Sequence, residues 1–163
     1  MKTTNKMYEG YSEEAILKLK IADSDEYPEA KLKYDEIIKD FPDPAYAYAK
    51  RGYVFHKLGK FQEAIDDFDV AISKKPQAKN TIWQRGISKW RIGQLNEALV
   101  DLRIYANLKP DDSEVFFWMG TICTELGDVF QAEKNFESAI SLNKNYSEAI
   151  EKLNEIRNGK VST

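Results

Sequence analysis

The sequence predicts an all-α fold in which antiparallel helix pairs repeat side by side as a solenoid. Three observations predict it. Prolines stand at Pro42, Pro76 and Pro110, 34 residues apart, and the same step links Gly52, Gly86 and Gly120, then Gly59, Gly93 and Gly127, then Ala30, Ala64, Ala98 and Ala132. Eight residues before each proline position a large apolar residue recurs as Tyr34, Phe68, Leu102 and Phe136, followed three places on by Ile37, Ala71, Tyr105 and Ala139. Between these marks the apolar residues keep three- and four-residue spacing, the signature of helices with one buried stripe. A period of this length marks a unit that buries its apolar face only against its neighbours.

In chain order, residues 1–10 form a polar leader, and the repeats are framed as 11–44, 45–78, 79–112 and 113–146. The first frame is degenerate, with Lys18 and Asp25 where the others have glycine, yet it keeps Leu17, Tyr27, Ala30, Tyr34 and Pro42. The second is the clearest. Asp43 and Pro44 form a start signal, since an Asp side chain accepts from free backbone amides and proline tolerates the first helical position. A helix over 46–57 stops at Gly59, where the chain can turn left-handed without a side-chain clash. A second helix over 61–74 carries Phe61, Ala64, Ile65, Phe68, Ala71 and Ile72 on one stripe and ends before Pro76. The fourth frame has Lys144 in place of its proline. Residues 147–158 follow with Ala149, Ile150, Leu153 and Ile156 on a narrow stripe, as a solvating cap helix requires, and 159–163 is a tail.

These residues resemble the tetratricopeptide repeat family. The second frame matches through Tyr48, Gly52, Phe55, Leu58, Gly59, Phe61, Ala64, Phe68, Ala71 and Pro76. The third matches through Ile82, Gly86, Ile92, Gly93, Leu95, Ala98, Leu102 and Pro110, and the fourth through Phe116, Gly120, Leu126, Gly127, Ala132, Phe136 and Ala139. The resemblance covers 11–158 and implies a right-handed superhelix of four such units with a C-terminal capping helix, built for protein binding. Arg51 and Arg85 replace the family's usual Leu, and each has an aspartate sixteen residues on, Asp67 and Asp101. An Arg–Asp contact between the two helices of each pair is expected.

In the family the first helix of each pair lines the concave face. The positions left free by the packing motif hold Ser12, Ala15, Ile16, Leu19, Ala22 and Asp23 in the first frame. In the second they include Tyr46, Lys50, Tyr53, His56 and Lys57, in the third Asn80, Trp83, Gln84, Ile87, Trp90 and Arg91, and in the fourth Glu114, Phe117 and Trp118. All three tryptophans fall on this surface. Six such rings carry about 1,000 Å² in total, and half of that left open would be near the top of what a monomer exposes. The expected role is a non-enzymatic adaptor whose aromatic groove takes a peptide or partner-protein segment, with Lys50, Lys57 and Arg91 suited to an acidic or carboxyl-terminated one. The alternative is self-association through the same apolar surface as a homodimer. Met7, Tyr8 and Tyr11 could also fold back over the rings. Trp90 follows Lys89, which stands at a ring position, so a small rotation would bury it between repeats. Of Phe116, Phe117 and Trp118, Phe116 is the expected core member.

The Hsp70 and Hsp90 adaptor branch of the family grips a terminal carboxylate with Lys, Asn and Arg. Its places here hold Ala49, Tyr53, Gln84, Glu114 and Trp118, or from the first frame Ala15, Leu19, Lys50, Asn80 and Gln84, so that clamp is absent. With 24 Lys+Arg against 27 Asp+Glu, the net charge of -3 gives no general attraction for nucleic acid, and no apolar run is long enough to enter a membrane. One histidine, His56, excludes a histidine metal cluster or a triad with a second imidazole. The single Cys123 fits a reducing, cytoplasmic setting and a packing role. No phosphate loop or ligand-loop spacing is present, so no cofactor or metal is expected.

Overall fold

The computed structural model describes residues 12–23, 26–41 and 44–159. Among them are nine helices and no strand, and they fall into two compact units that part between Ile92 and Gly93. The first unit holds α1 (Glu13–Ala22), α2 (Tyr27–Asp40), α3 (Ala45–Lys57), α4 (Phe61–Lys74) and α5 (Lys79–Arg91). The second holds α6 (Leu95–Leu108), α7 (Ser113–Glu125), α8 (Val129–Leu142) and α9 (Ser147–Arg157). Met7, Tyr8, Tyr11, Asp25, Pro42 and Asp43 lie outside the described residues, and with them the expected fold-back and the Asp43 cap.

The α3/α4 pair shows why these residues fold as they do. The alternation of Ala64, Ile65, Phe68 and Ala71 with acids gives α4 one apolar face, and all four are buried. Gly52 lets α3 close onto that face, because a Cβ there would stand 2.7 Å from the Phe68 ring. Gly120 does the same over Phe136 for α7 and α8. At the turn, Gly59 takes φ +74°, its N–H donates to the His56 carbonyl and Lys60 N–H donates to that of Phe55. This pair of hydrogen bonds closes the C-terminus of α3, and Gly127 and Asp128 repeat it at α7. Tyr34, Phe68, Leu102 and Phe136 are all buried, as are Ile37, Ala71, Tyr105 and Ala139.

Three details differ from the sequence reading. Pro44 is the N-cap of α3 and not its first helical residue. Among the described residues, Ser12 accepts from Ala15 N–H at the start of α1, Asp112 from Glu114 N–H at α7 and Asp128 from Gln131 N–H at α8. In α1 the buried residues are Ala15, Leu19 and Ala22, three of the positions expected to line a groove, while Leu17 is 60% exposed. Counted back from the start of the following helix, the buried residues of α1 stand two places later than Ala47 and Val54 of α3 or Val115 and Ile122 of α7. The connection to α2 has no turn glycine and runs four residues, 23–26, against three at 58–60 and 126–128, and the register of α1 shifts so that its apolar side stays on α2. Finally, Phe116 is only half-buried, and Val115 and Met119 fill the core beneath α7.

The aspartate expected opposite Arg51 is in place, and a second one joins it. Arg51 donates from Nε and Nη2 to Asp67 at 2.7 Å each, and from Nη1 to Asp35 of α2 at 2.7 Å. One guanidinium therefore ties α2, α3 and α4 together. Arg85 repeats the backward link to Asp69, sixteen residues earlier, at 2.6 Å. Burial opposes ionisation of Asp35, but hydrogen bonds from Lys31 and Arg51 hold it below the ordinary carboxylate range. For the more buried Asp67 the desolvation is larger and pushes its carboxyl up against the pull of Arg51.

Candidate functional site

Helical spacing puts Tyr46, Lys50, Tyr53 and Lys57 on one side of α3, and Trp83, Ile87 and Trp90 on one side of α5, which packs against α3 and α4. None is fully buried: Lys57 and Arg91 are exposed, and Tyr46, Lys50, Tyr53, His56, Trp83, Gln84, Ile87 and Trp90 are half-buried. The buried residues beneath are Ala47, Val54 and Ile82, and Tyr46 packs against the edge of that core.

At the N-terminal end of α3 the polar groups are tied down. Asp23, just past α1, accepts from Tyr46 Oη at 2.8 Å and from Tyr34 Oη, and pairs with Lys50 Nζ at 3.2 Å. Lys50 also lies over the Tyr46 ring. The sequence put Asp23 on the same surface without pairing it with Tyr46 and Lys50; its signal was that it is the one charged residue among the first frame's free positions. Beside them lies a depression of about 200 Å³ lined by Ala45, Tyr46, Ala49, Ala71, Lys75, Ala78 and Thr81.

At the C-terminal ends the arrangement is cationic and aromatic. Lys57 Nζ sits 5.2 Å from the centre of the Tyr53 ring, which meets Tyr27 edge-on. Phe61, first residue of α4, is flanked by the His56 ring at 5.4 Å and the Arg91 guanidinium at 4.9 Å. His56 Nδ1 lies 2.8 Å from Ser88 Oγ, whose own hydrogen goes to the Gln84 carbonyl at 2.8 Å. With that hydroxyl hydrogen assigned to Gln84, the hydrogen-bond network assigns the ring proton to Nδ1, which donates to Ser88. Burial, then Lys57 and Arg91, push the imidazole below its usual range, so the neutral ring with an Nε2 lone pair is favoured. The pair is thus oriented the wrong way for histidine to activate the serine, and Ser88 is fully buried.

In the second unit Phe117 stacks on Tyr146 at 5.1 Å, leans on Phe136 and meets Trp118 edge-on. Trp118 is half-buried, and its Nε1 donates to Glu114 at 3.4 Å. Cys123 is buried, and burial with Asp128 nearby pushes its thiol up, away from the reactive thiolate. Among the described residues no group of His, Cys, Asp and Glu could hold a metal ion, and no helix is long and apolar enough to cross a membrane.

With this geometry in view, comparison with known proteins fixes the class. The tetratricopeptide repeat pattern matches residues 22–79 and again residues 113–146. The chain belongs to the tetratricopeptide repeat family. No curated protein matches it. Among solved structures it is similar to MamA 41-end from Desulfovibrio magneticus RS-1, with TM-score 0.85 and 18% identity over 91% of this chain and 86% of that one. It is also similar to YrrB, described as a TPR protein with an unusual peptide-binding site, with TM-score 0.81 and 21% identity over 90% and 77%. The first TPR of Spaghetti (RPAP3), solved bound to the HSP90 peptide SRMEEVD, gives TM-score 0.66 and 23% identity over 72% and 94%. At such identities these likenesses show the fold, an all-α helical-repeat solenoid.

Proposed function

We propose that this chain is a non-enzymatic adaptor that holds a segment of a partner protein on α3 and α5, along Tyr46, Tyr53, Trp83, Ile87 and Trp90. Lys50, His56, Lys57, Gln84 and Arg91 supply its polar contacts, and Phe117 and Trp118 give the second unit a contact surface of its own. One observation carries the reading: large rings stand half-open on two packed helices whose core positions are already filled by other residues. Rings so placed supply apolar area to an incoming chain at little cost in conformational freedom. That solved structures of the same fold include one described as having a peptide-binding site and one bound to a peptide supports it. The buried lone Cys123 fits a reducing compartment, and we place the protein in the cytoplasm.

The test is affinity purification from the native cell with the wild-type chain and a Tyr53→Ala/Trp83→Ala double variant. Loss of specific partners with unchanged circular dichroism is expected. Recovery of the same partners in the same yield would remove the reading.

A further inference from the structure

Charge is segregated in the first unit. α3 and α5 together hold seven Lys and Arg and no Asp or Glu, in a chain of net charge -3. The intervening α4 holds Glu63, Asp66, Asp67 and Asp69 against Lys74 alone. Part of the positive charge is satisfied within the fold, Lys50 by Asp23, Arg51 by Asp35 and Asp67, and Arg85 by Asp69. Lys57 and Arg91 differ. Both are exposed, both lie over rings, and among the described residues neither forms an ion pair. The alanine-lined depression lies at the opposite ends of the same helices. Lys57 stands eight residues past Ala49 and twelve past Ala45. At about 1.5 Å per residue that is roughly 12 to 18 Å along the axis, a span that an extended chain covers in about four or five residues.

We propose that the segment held here is acidic: an extended stretch of a partner protein that seats one aliphatic side chain in the alanine-lined depression and lays side-chain carboxylates, about four or five residues away, against Lys57 and Arg91. The proposal rests on the protein-binding reading above and names its ligand class. The chain's own leader does not complement the surface, since residues 1–11 hold Lys2 and Lys6 against Glu9. A short acidic segment also suits it better than a nucleic-acid backbone, which the net charge and the α4 carboxylates would repel along its length.

The probe is a random dodecapeptide display library selected on the full chain and counter-screened on a Lys57→Glu/Arg91→Glu variant, whose altered side chains are exposed and leave the core intact. Enriched peptides should carry at least two Asp or Glu with an aliphatic residue four or five positions away. The best of them, synthesised with an amidated C-terminus, should lose at least tenfold affinity to the charge-reversed variant and to Ala49→Leu, which fills the depression. Enriched peptides without acids, equal affinity for the charge-reversed variant, loss of binding on amidation, or tighter binding of an oligouridylate would each overturn the acidic assignment. So would a dimer in light scattering that the charge reversal dissolves. If acid-free peptides still require Tyr53 and Trp83, the protein-binding reading survives and only this inference falls. Peptides indifferent to Tyr53→Ala/Trp83→Ala, or no enrichment, remove both.

Discussion

His56 shows how one residue's surroundings set its chemistry. It is packed on Phe61, donates to Ser88, and has Lys57 and Arg91 as its charged neighbours, with no acid to favour an imidazolium. Its pKa is therefore lowered on folding, so between the folded value and the unfolded one near 6.5 the unfolded chain binds more protons. Stability should be fully retained above that range and fall as the pH drops through it. Urea titrations of wild type and His56→Gln from pH 7.5 to 5 check this: the wild type should lose more over the interval than the variant. An equal pH response would show that the ring is not held neutral. Nothing in the sequence marked this role, because Ser88 lies 32 residues away and was an ordinary small residue of the third repeat.

At the scale of helices, the three-way grip of Arg51 on Asp35 and Asp67 is the most consequential link. Replacing Arg51 by Met leaves the buried Asp67 without its bidentate partner and should cost about 3 kcal/mol in urea unfolding. Arg51→Met with Asp67→Leu should recover much of that, since an apolar pair of similar volume has no charge to desolvate. Equal losses in the single and double variants would mean the pair contributes little. Half of this grip was legible in the sequence, because Arg51 and Asp67 vary together within one pair of helices. Asp35 was not, because its link runs between successive pairs and only the equal spacing of Asp35 and Asp69 hinted at it. The same contrast holds for the helices themselves. Gly59 punctuates its turn and made α3 and α4 readable almost to the residue. α1 lacks such a glycine, so its register slid by two residues and carried Ala15, Leu19 and Ala22 from the expected groove into the core.

Across the whole molecule, the distribution of charge matters more than its sum. A net charge of -3 hides a first unit whose α3 and α5 carry only cations and a second whose α7 carries only Glu114 and Glu125. Capture of an acidic segment should weaken several-fold between 50 and 300 mM salt, where the screening length shrinks from roughly 14 Å to below 8 Å. Fluorescence anisotropy of a labelled acidic peptide reads this directly, and an uncharged peptide on the same surface should show no such decline. Salt-independent affinity for the acidic peptide would contradict the assignment. Composition alone pointed away from polyanions and stopped there, since a sum over the chain cannot say which helices hold which sign.

The hydrogen bond between His56 and Ser88 has a practical corollary. This is the chain's single imidazole, so its ring nuclei give one isolated set of magnetic resonance signals, at the seam of the two helices where a visitor would land. With the proton assigned to Nδ1, the less common tautomer in water, those signals start from a recognisable position. Any guest that settles nearby would announce itself there, with no dye or tag attached.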